Sequence, residues 1–463
     1  MPRELLVGID VGSTRVKAHV FDLHGRELAG MHVATPWTRT ATGAEADPAD
    51  IYEAALGVTL SALALTPHAR VVGIGVTGMA EAVALLGSAS DAVAPTIAWY
   101  DSRGDVEGLR REIGPGRFMG TTGLPLSTKP TIMKLHWMRY RDLSLELAVC
   151  ALSLPEYVAY RLGGEPVAEL SLASRTGLFD VCERRWNEHL LEWAGVREGL
   201  FPELRVAGTP LGTVKSSPGE IGQLRGAIIA VGGHDHLCAA VGAGVLVPTE
   251  MLDDCGTAEA YVRATATLVR CQVIAAAANG LCVSCHVIPD HQAVLGSGPL
   301  GLVLGPVFDL LGREDQLEAV ATAAECATSS QADDTLSFSF DDRTGRSCLA
   351  GIGPGSTPGR ARALAIEEVL RGSLALYETV AHIGGPVESV TMTGGWAQVE
   401  PLLQRKCERF PGVSVAVTET GARGAALIAG RAAGVFPRLE DLPAPELTSP
   451  IRERARSRAA GST

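Results

Sequence analysis

The sequence predicts an α/β protein built from two similar halves. Two observations predict it: strand-like and helix-like segments alternate over the first eighty residues, and a short motif recurs about half a chain later. With 463 residues, the chain is too long for one ordinary domain and fits two or three. Its 53 glycines exceed the usual share and indicate many tight turns and close backbone approaches.

The first eighty residues predict antiparallel strands, then a helix, then another strand. Apolar and β-branched runs predict strands at Leu5–Asp10, Val16–Phe21 and Glu27–Val33. Asp47-Pro48 is typical of a helix start, and apolar residues at helical spacing follow over Ala49–Leu65. Val71–Val76 then predicts a further strand.

The recurring motif is an acid, a spacer, a glycine and a hydroxyl residue. It occurs as Asp10-Val11-Gly12-Ser13-Thr14 and again as Asp254-Cys255-Gly256-Thr257-Ala258, each time before strand-like residues. Its position at the start of each half predicts a duplicated domain with a boundary near Gly244. The expected division is therefore 1–244 and 245–435, followed by a mobile tail over 436–463.

Charge and cysteine content narrow the classes of partner. A formal charge of −12 argues against nucleic acid or an anionic membrane as partner, and no apolar run reaches the length of a membrane span. Ten cysteines without a secretory signal predict reduced thiols and a cytoplasmic protein. Cys271, Cys282 and Cys285 with His286 leave a zinc site open, although strand-like surroundings favour buried thiols.

The two D-x-G turns are candidates for phosphate binding. Backbone N–H groups and a hydroxyl can converge on phosphate oxygens at such a turn, and a carboxylate at its edge can hold Mg²⁺. The alternative is a pair of plain hairpin turns. Asp10 favours phosphate binding over a plain turn, because a carboxylate at the end of an apolar strand is costly without a cation or polar partners.

Gly232-Gly233-His234-Asp235-His236 joins an apolar strand to a helix-like segment. The helix dipole would stabilise an anion at Asp235, and the two glycines would let a substrate approach. The alternatives are a simple helix cap and a metal site that uses His234 and His236.

Four further glycine or aromatic motifs allow less definite interpretations. Trp99-Tyr100-Asp101-Ser102-Arg103 suits a polyhydroxylated ligand or a surface salt bridge, and Gly394-Gly395 suits adenine or a plain turn. The G-x-G-x-x-G patterns that begin at Gly73 and Gly296 are better explained as structural turns than as dinucleotide loops, since glycine is so frequent.

Taken in order, these motifs resemble the FGGY family of carbohydrate kinases, within the actin-like ATPase and sugar-kinase superfamily. The resemblance also includes Gly424-Ala425-Ala426 and extends to about residue 435. It implies two duplicated ribonuclease-H-like domains around a central cleft, with sugar bound mainly by the first and ATP mainly by the second, and ATP and Mg²⁺ as cofactors.

The resemblance also implies roles for individual residues. Asp235 would accept the proton of the substrate hydroxyl, and Asp10 would help to place Mg²⁺ and the phosphates. The residues implied to contact ATP are Gly12, Ser13, Thr14, Gly256, Thr257, Gly394 and Gly395. Those implied to bind the sugar are Met79, Ala80, Glu81, Trp99, Asp101 and Arg103.

The sequence Met79-Ala80-Glu81 stands where similar xylulokinases carry a Met-His pair. A carboxylate there would repel an acid sugar unless Arg103 compensates, so the expected substrate is a neutral ketose or polyol, with a xylulose-like pentulose as the leading candidate. Two alternatives stay open: an ATP-binding regulator or ATPase without sugar kinase activity, and a metal-dependent hydrolase using His234, Asp235 and His236. The expected partner is the small-molecule substrate, and a homodimer is left open.

Overall fold

The structure is a computed structural model that describes residues 3–141, 144–197, 199–215, 222–312, 335–341 and 344–448. The chain forms two compact units: unit 1 comprises 1–246, 264–294 and 418–445, and unit 2 comprises 247–263, 295–417 and 446–463. Among the described residues, no helix has both the length and the apolar character needed to span a bilayer.

Helices and strands alternate along the chain. The helices are α1 (Pro48–Ala64), α2 (Val106–Glu112), α3 (Pro115–Thr122), α4 (Thr131–Arg139), α5 (Ser144–Leu147), α6 (Leu154–Arg161), α7 (Leu170–Ala173), α8 (Glu188–Ala194), α9 (Asp235–Gly242), α10 (Arg270–Ala278), α11 (Leu300–Leu311), α12 (Pro358–Gly384), α13 (Glu400–Cys407) and α14 (Thr420–Ala432), with 3₁₀ turns at Gly395–Gln398 and Leu439–Asp441. The strands are β1 (Arg3–Val11), β2 (Arg15–Asp22), β3 (Glu27–Ala34), β4 (Thr38–Arg39), β5 (Ala44–Ala46), β6 (Ala69–Gly78), β7 (Val83–Leu86), β8 (Thr96–Ile97), β9 (Cys150–Ser153), β10 (Ala168–Glu169), β11 (Phe179–Asp180), β12 (Arg185–Trp186), β13 (Leu204–Arg205), β14 (Ile228–His234), β15 (Glu250–Cys255), β16 (Glu259–Thr265), β17 (Cys282–Cys285), β18 (Gln292–Gly298), β19 (Ser337–Asp341), β20 (Arg346–Ala350), β21 (Ser389–Thr393), β22 (Ser414–Ala416) and β23 (Leu447–Thr448). The predicted strands of the first eighty residues and the helix capped by Asp47 are confirmed.

The main sheet of unit 1 has the order β14-β6-β1-β2-β3. Strand β1 runs parallel to β6 and antiparallel to β2, and β6 runs parallel to β14. From Leu5 to Val11, β1 is buried at every position, because α1 covers one face of the sheet and α14 the other. The parallel strands β1, β6 and β14 therefore end together at one edge.

Glycines in these strands let α14 lie unusually close to the sheet. A Cβ at Gly8 would lie 1.8 Å from the carbonyl oxygen of Ala422, and a Cβ at Gly75 would lie 2.0 Å from that of Ala425. The pattern beginning at Gly73 is thus structural, as predicted, but it lies in a strand and not in a turn. Because α14 packs on this sheet, it belongs to unit 1, which differs from the predicted division that assigned 245–435 to a second domain.

Unit 2 repeats the strand directions of unit 1. Its sheet contains the order β16-β15-β21-β22-β23, in which β15 is antiparallel to β16 and parallel to β21, and β21 is parallel to β22. Strands β2, β1, β6 and β14 of unit 1 have the same relations. The predicted duplication of a ribonuclease-H-like α/β core is therefore confirmed.

The predicted tail over 436–463 begins inside ordered structure. Phe436 is buried against Leu6 and Phe21, and β23 pairs antiparallel with β22. The expectation of mobility is therefore corrected for 436–448, where backbone pairing and apolar contacts hold the chain. Residues 449–463 lie outside the described residues.

Candidate active site

The common edge of β1, β6 and β14 brings the predicted catalytic aspartates together. Asp10 is opposite Thr77 in the parallel pair β1–β6, and Thr77 is opposite Gly233 in β6–β14. Asp235 follows β14 directly, as the first residue of α9. The two aspartates interact, since the charge of Asp235 contributes to raising the pKa of Asp10. Ligand sites in α/β proteins lie characteristically at the carboxyl ends of strands.

Asp10 is buried and only partly satisfied by its neighbours. Its Oδ2 lies 3.4 Å from Lys17 Nζ, which also contacts Glu419 Oε1 at 3.0 Å. Its Oδ1 is buried without a hydrogen-bond partner. Burial raises the pKa of Asp10 to about 7, against the lowering effect of Lys17 and with further raising by Glu419 and Asp235. A buried carboxylate oxygen with unused acceptor capacity fits the oxygen ligands that Mg²⁺ prefers.

The turn after β1 is closed by backbone and tryptophan hydrogen bonds. The N–H of Gly12 donates to the carbonyl oxygen of Arg15 at 3.1 Å. Ser13 accepts two indole N–H groups: Trp37 donates to its carbonyl oxygen at 2.8 Å, and Trp99 donates to its hydroxyl oxygen at 2.6 Å. Trp99, a predicted sugar-binding residue, is therefore attached directly to the predicted phosphate turn. Sequence reasoning missed Trp37.

Asp235 is partly exposed at the N-terminus of α9, with 28% of its side chain accessible. The N–H of His236 donates to its Oδ1 at 2.7 Å, and His234 Nε2 lies 3.2 Å from the same oxygen. Burial, helped by Arg175 and His236, holds the pKa of His234 well below its usual range, so this imidazole is neutral at physiological pH. Asp235 is thus an accessible carboxylate next to neutral imidazole and a helix N-terminus.

Glu81 has an ion-pair partner that the sequence did not indicate. Arg175 donates from Nε and Nη2 to Glu81 Oε1, at 2.9 Å and 2.5 Å. Glu81 also adopts a φ of +63°, a strained conformation of the kind that often accompanies function. Met79 and Ala80, which precede it, are almost fully buried.

Arg103 does not compensate the charge of Glu81, because it pairs with Asp101 and Glu45. Asp101 has no solvent-accessible surface and accepts from the backbone N, Nε and Nη2 of Arg103 and from Thr42 Oγ1. Burial alone would raise the pKa of Asp101, but the bonds from Arg103 outweigh it and lower that pKa. This pair supports the loop that carries Trp99.

The corresponding edge of unit 2 carries the predicted nucleotide residues. Gly256 and Thr257 form the turn between β15 and β16, and Asp254 is opposite Thr393 in the pair β15–β21. Gly394 follows Thr393 with a φ of +86°, and a Cβ there would lie 2.5 Å from the carbonyl oxygen of Cys255. Glycine is therefore required at this close approach, and Gly395 begins the next 3₁₀ turn.

Within the described part of the chain, Asp253, Cys255 and Glu259 lie close enough together to hold a metal ion, and all three are buried. Lys406 Nζ lies 2.5 Å from Asp253 Oδ2 and from Glu259 Oε1, and 3.4 Å from Cys255 Sγ. The ammonium group of Lys406 therefore already occupies the position that a metal ion would take. Cys271 is exposed, whereas Cys285 is buried.

Comparison with known proteins places these residues in a family. The model of the FGGY family of carbohydrate kinases, N-terminal domain, matches residues 5–242. A glycerol kinase of Rhizorhabdus wittichii is 26% identical over 94% of this chain and 89% of its own length. A xylulose kinase of Staphylococcus xylosus is 25% identical over 54% of this chain and 53% of its own.

A solved structure gives the same result for the fold. The xylulose kinase of Rhodospirillum rubrum superimposes with a TM-score of 0.82 at 22% identity, covering 96% of this chain and 93% of the other. Because the family model alone matches just over half of the 463 residues, the chain belongs to the FGGY family of carbohydrate kinases, phosphotransferases that use ATP with Mg²⁺ and an alcohol group as acceptor.

Proposed function

We propose that this protein transfers the γ-phosphoryl group of ATP to a hydroxyl of a neutral polyol or ketose, with Asp235 as general base. The observation that carries the proposal is that two carboxylates in different environments lie where β1, β6 and β14 end. Asp235 is accessible at a helix N-terminus, whereas Asp10 is buried with an unpartnered oxygen. One carboxylate can accept a proton while the other holds a cation.

The mechanism requires positioning and little covalent chemistry, because phosphoryl transfer passes through a loose transition state. Asp235 accepts the proton of the attacking hydroxyl, and its place at the N-terminus of α9 is one where the helix dipole favours a negative charge. Asp10 would hold Mg²⁺, which neutralises charge on the phosphates when bound. In unit 2, the turn at Gly256 and Thr257 and the pair Gly394 and Gly395 are proposed to contact ATP.

The pocket charges support a neutral acceptor. Glu81 pairs with Arg175, and Arg103 pairs with both Asp101 and Glu45, so neither guanidinium is left without a carboxylate. A paired carboxylate and guanidinium offer acceptors and donors to hydroxyl groups but no unbalanced charge to a carboxylate substrate. The relatives are glycerol kinases along nearly the whole chain and xylulose kinases along about half of it, so both glycerol and xylulose belong in the first panel.

The test is ATP-dependent ADP release with glycerol, xylulose, other pentuloses, alditols and aldonates. A neutral polyol or ketose is expected to accelerate release, and Asp235→Asn is expected to lower kcat about 10²–10⁴-fold. Asp290→Asn is the matched control, because the Asp290 side chain is 94% exposed. If none of the acceptors changes the rate of ADP release, the result would support the ATPase alternative. An active Asp235→Asn variant would refute Asp235 as the general base.

A further inference from the structure

The peptide group between Gly233 and His234 is held at both ends by side chains. The hydroxyl of Thr77 donates to the carbonyl oxygen of Gly233 at 2.6 Å. The N–H of His234 donates to the hydroxyl oxygen of Ser171 at 2.9 Å. The C=O and N–H of one trans peptide point in opposite directions, so the two hydroxyls hydrogen-bond to this peptide group from opposite sides.

The backbone is irregular at this point, so these two hydrogen bonds stabilise a segment that the regular strand pairing does not hold. The pairing of β14 with β6 shifts register between Val231 and Gly233, and Gly233 has a φ of +99°. A register shift interrupts the regular ladder, and glycine adds backbone freedom. Asp235 follows this irregular segment directly, so rotation of the Gly233–His234 peptide would move the proposed base.

The hydroxyl of Ser171 is itself oriented by a buried carboxylate. It donates to Glu169 Oε2 at 2.5 Å, and the same oxygen accepts the N–H groups of Ser171 and Leu172 at 2.9 Å and 3.0 Å. With its proton committed to Glu169, the hydroxyl has its lone pairs available for the N–H of His234.

A second glutamate ties this arrangement to α6. The N–H of Glu169 donates to Glu156 Oε1 at 2.6 Å, and Glu156 Oε2 accepts the N–H of Ser153, which precedes α6. Ser171 and Thr77 are both fully buried. Neither can therefore touch a substrate, so any effect of these hydroxyls on the reaction is indirect.

We propose that Thr77 and Ser171, with Glu169 behind Ser171, are positioning residues that fix the Gly233–His234 peptide and thereby aim the carboxylate of Asp235 at the acceptor hydroxyl. This proposal rests on the function proposed above. A misplacement of about 1 Å at a reacting group can cost about 10²-fold in rate. Loss of either hydroxyl is therefore expected to reduce kcat and to leave KM nearly unchanged.

The experiment compares Thr77→Val, Thr77→Ser, Ser171→Ala and the double variant Thr77→Val/Ser171→Ala. Valine keeps the shape of threonine without its hydroxyl, and serine keeps the hydroxyl. Thr77→Val and Ser171→Ala are each expected to lower kcat about 10–100-fold with KM for both substrates within about threefold. Thr77→Ser is expected to retain at least a third of the wild-type kcat.

The double variant separates positioning from general loss of structure. Because both hydroxyls act on one peptide, its kcat should be close to that of the worse single variant instead of the product of both losses. Multiplicative losses, or a Thr77→Val variant with wild-type kcat, would overturn the proposal. If Ser171→Ala does not fold, the Thr77→Val and Thr77→Ser pair still decides it.

Asp235→Asn in the same assay keeps the two proposals distinguishable. An inactive Asp235→Asn variant alongside a fully active Thr77→Val variant would overturn the positioning role and leave the base in place. An active Asp235→Asn variant would instead overturn the proposed function on which the positioning role rests.

Discussion

Each unit contains a lysine held between an aspartate and a glutamate close to its D-x-G hairpin, but the two trios are buried to different extents. In unit 1, Lys17 lies between Asp10 and Glu419, with 32% of its side chain exposed. In unit 2, Lys406 lies between Asp253 and Glu259 with none of its side chain exposed. The same three residue types therefore occupy two different environments.

Strand alternation explains the difference. Asp10 corresponds in the repeat to Asp254, whereas the buried trio uses Asp253, one residue earlier. Successive residues of a strand point to opposite faces, so Asp253 turns to the face opposite that of Asp254 and meets Lys406 from α13 in the core. The hairpin is the same in both units, but the aspartate that pairs with the lysine is one residue earlier in unit 2, and this places its ion pair in the core.

The first prediction tests the burial difference and has the largest expected effect. Carboxylates around Lys406 raise its pKa well above the usual range despite the opposing effect of burial, so its charge persists. Lys406→Met would leave Asp253 and Glu259 buried without a counter-ion, at a cost of about 3–5 kcal/mol in the free energy of unfolding. Lys17→Met should cost less, about 1–2 kcal/mol, because Lys17 is 32% exposed and Asp10, whose pKa is about 7, can take up a proton when the lysine is removed.

Urea unfolding of the two variants and the wild type provides the measurement, with the midpoints compared at one pH. Lys17→Met is the matched control, since it removes the same charge from a trio of the same composition. Equal losses of stability in the two variants would mean that the different burial of the two trios does not change what their lysines contribute to stability.

The second prediction concerns the titration of Asp10 in the trio of unit 1. Burial raises the pKa of Asp10 to about 7 from an ordinary value of 3.8. Between these values Asp10 holds a proton in the folded protein that it releases in the unfolded chain, so its contribution to the free energy of unfolding falls by roughly 2–4 kcal/mol as pH rises from about 4 to about 7. Asp10→Asn should remove this part of the slope, because asparagine does not titrate.

Unfolding midpoints between pH 4 and pH 8, in EDTA and without ATP, measure that slope. The comparison needs only the slopes, so a constant offset in the stability of Asp10→Asn does not matter. Parallel profiles for the variant and the wild type would contradict the raised pKa of Asp10.

The sequence was informative where the signal is local. Helix α1 could be predicted from Asp47, Pro48 and apolar spacing, and the hairpins from β-branched runs around the D-x-G turns. The positions of Asp10 and Asp235 at strand ends followed from the same patterns. These signals depend on neighbouring residues, so one sequence contains them.

Long-range partners could not be predicted in this way. Arg175 is 94 residues from Glu81, and nothing near either residue in the sequence indicates the pair. Whether Arg103 would compensate Glu81 was left open by the sequence, and Arg103 instead binds Asp101, two residues away. A lysine such as Lys406 within a short polar helix is ordinarily solvated, so its burial depends on tertiary packing.

The last and smallest prediction compares the two repeated turns. A Cβ at Gly12 would lie 2.9 Å from the carbonyl oxygen of Arg15, the acceptor that closes this turn, whereas the nearest atom to a Cβ at Gly256 is the carbonyl oxygen of Ala258 at 3.4 Å. Gly12→Ala should therefore lower the free energy of unfolding by about 1–2 kcal/mol. Gly256→Ala should change it by less than about 0.5 kcal/mol, since reduced freedom of the unfolded chain offsets the slight crowding. Urea midpoints measure both, and equal losses would show that the two turns are equally closed. Because Gly256→Ala should fold normally, an increase in its KM for MgATP would then support the proposal that this turn contacts ATP.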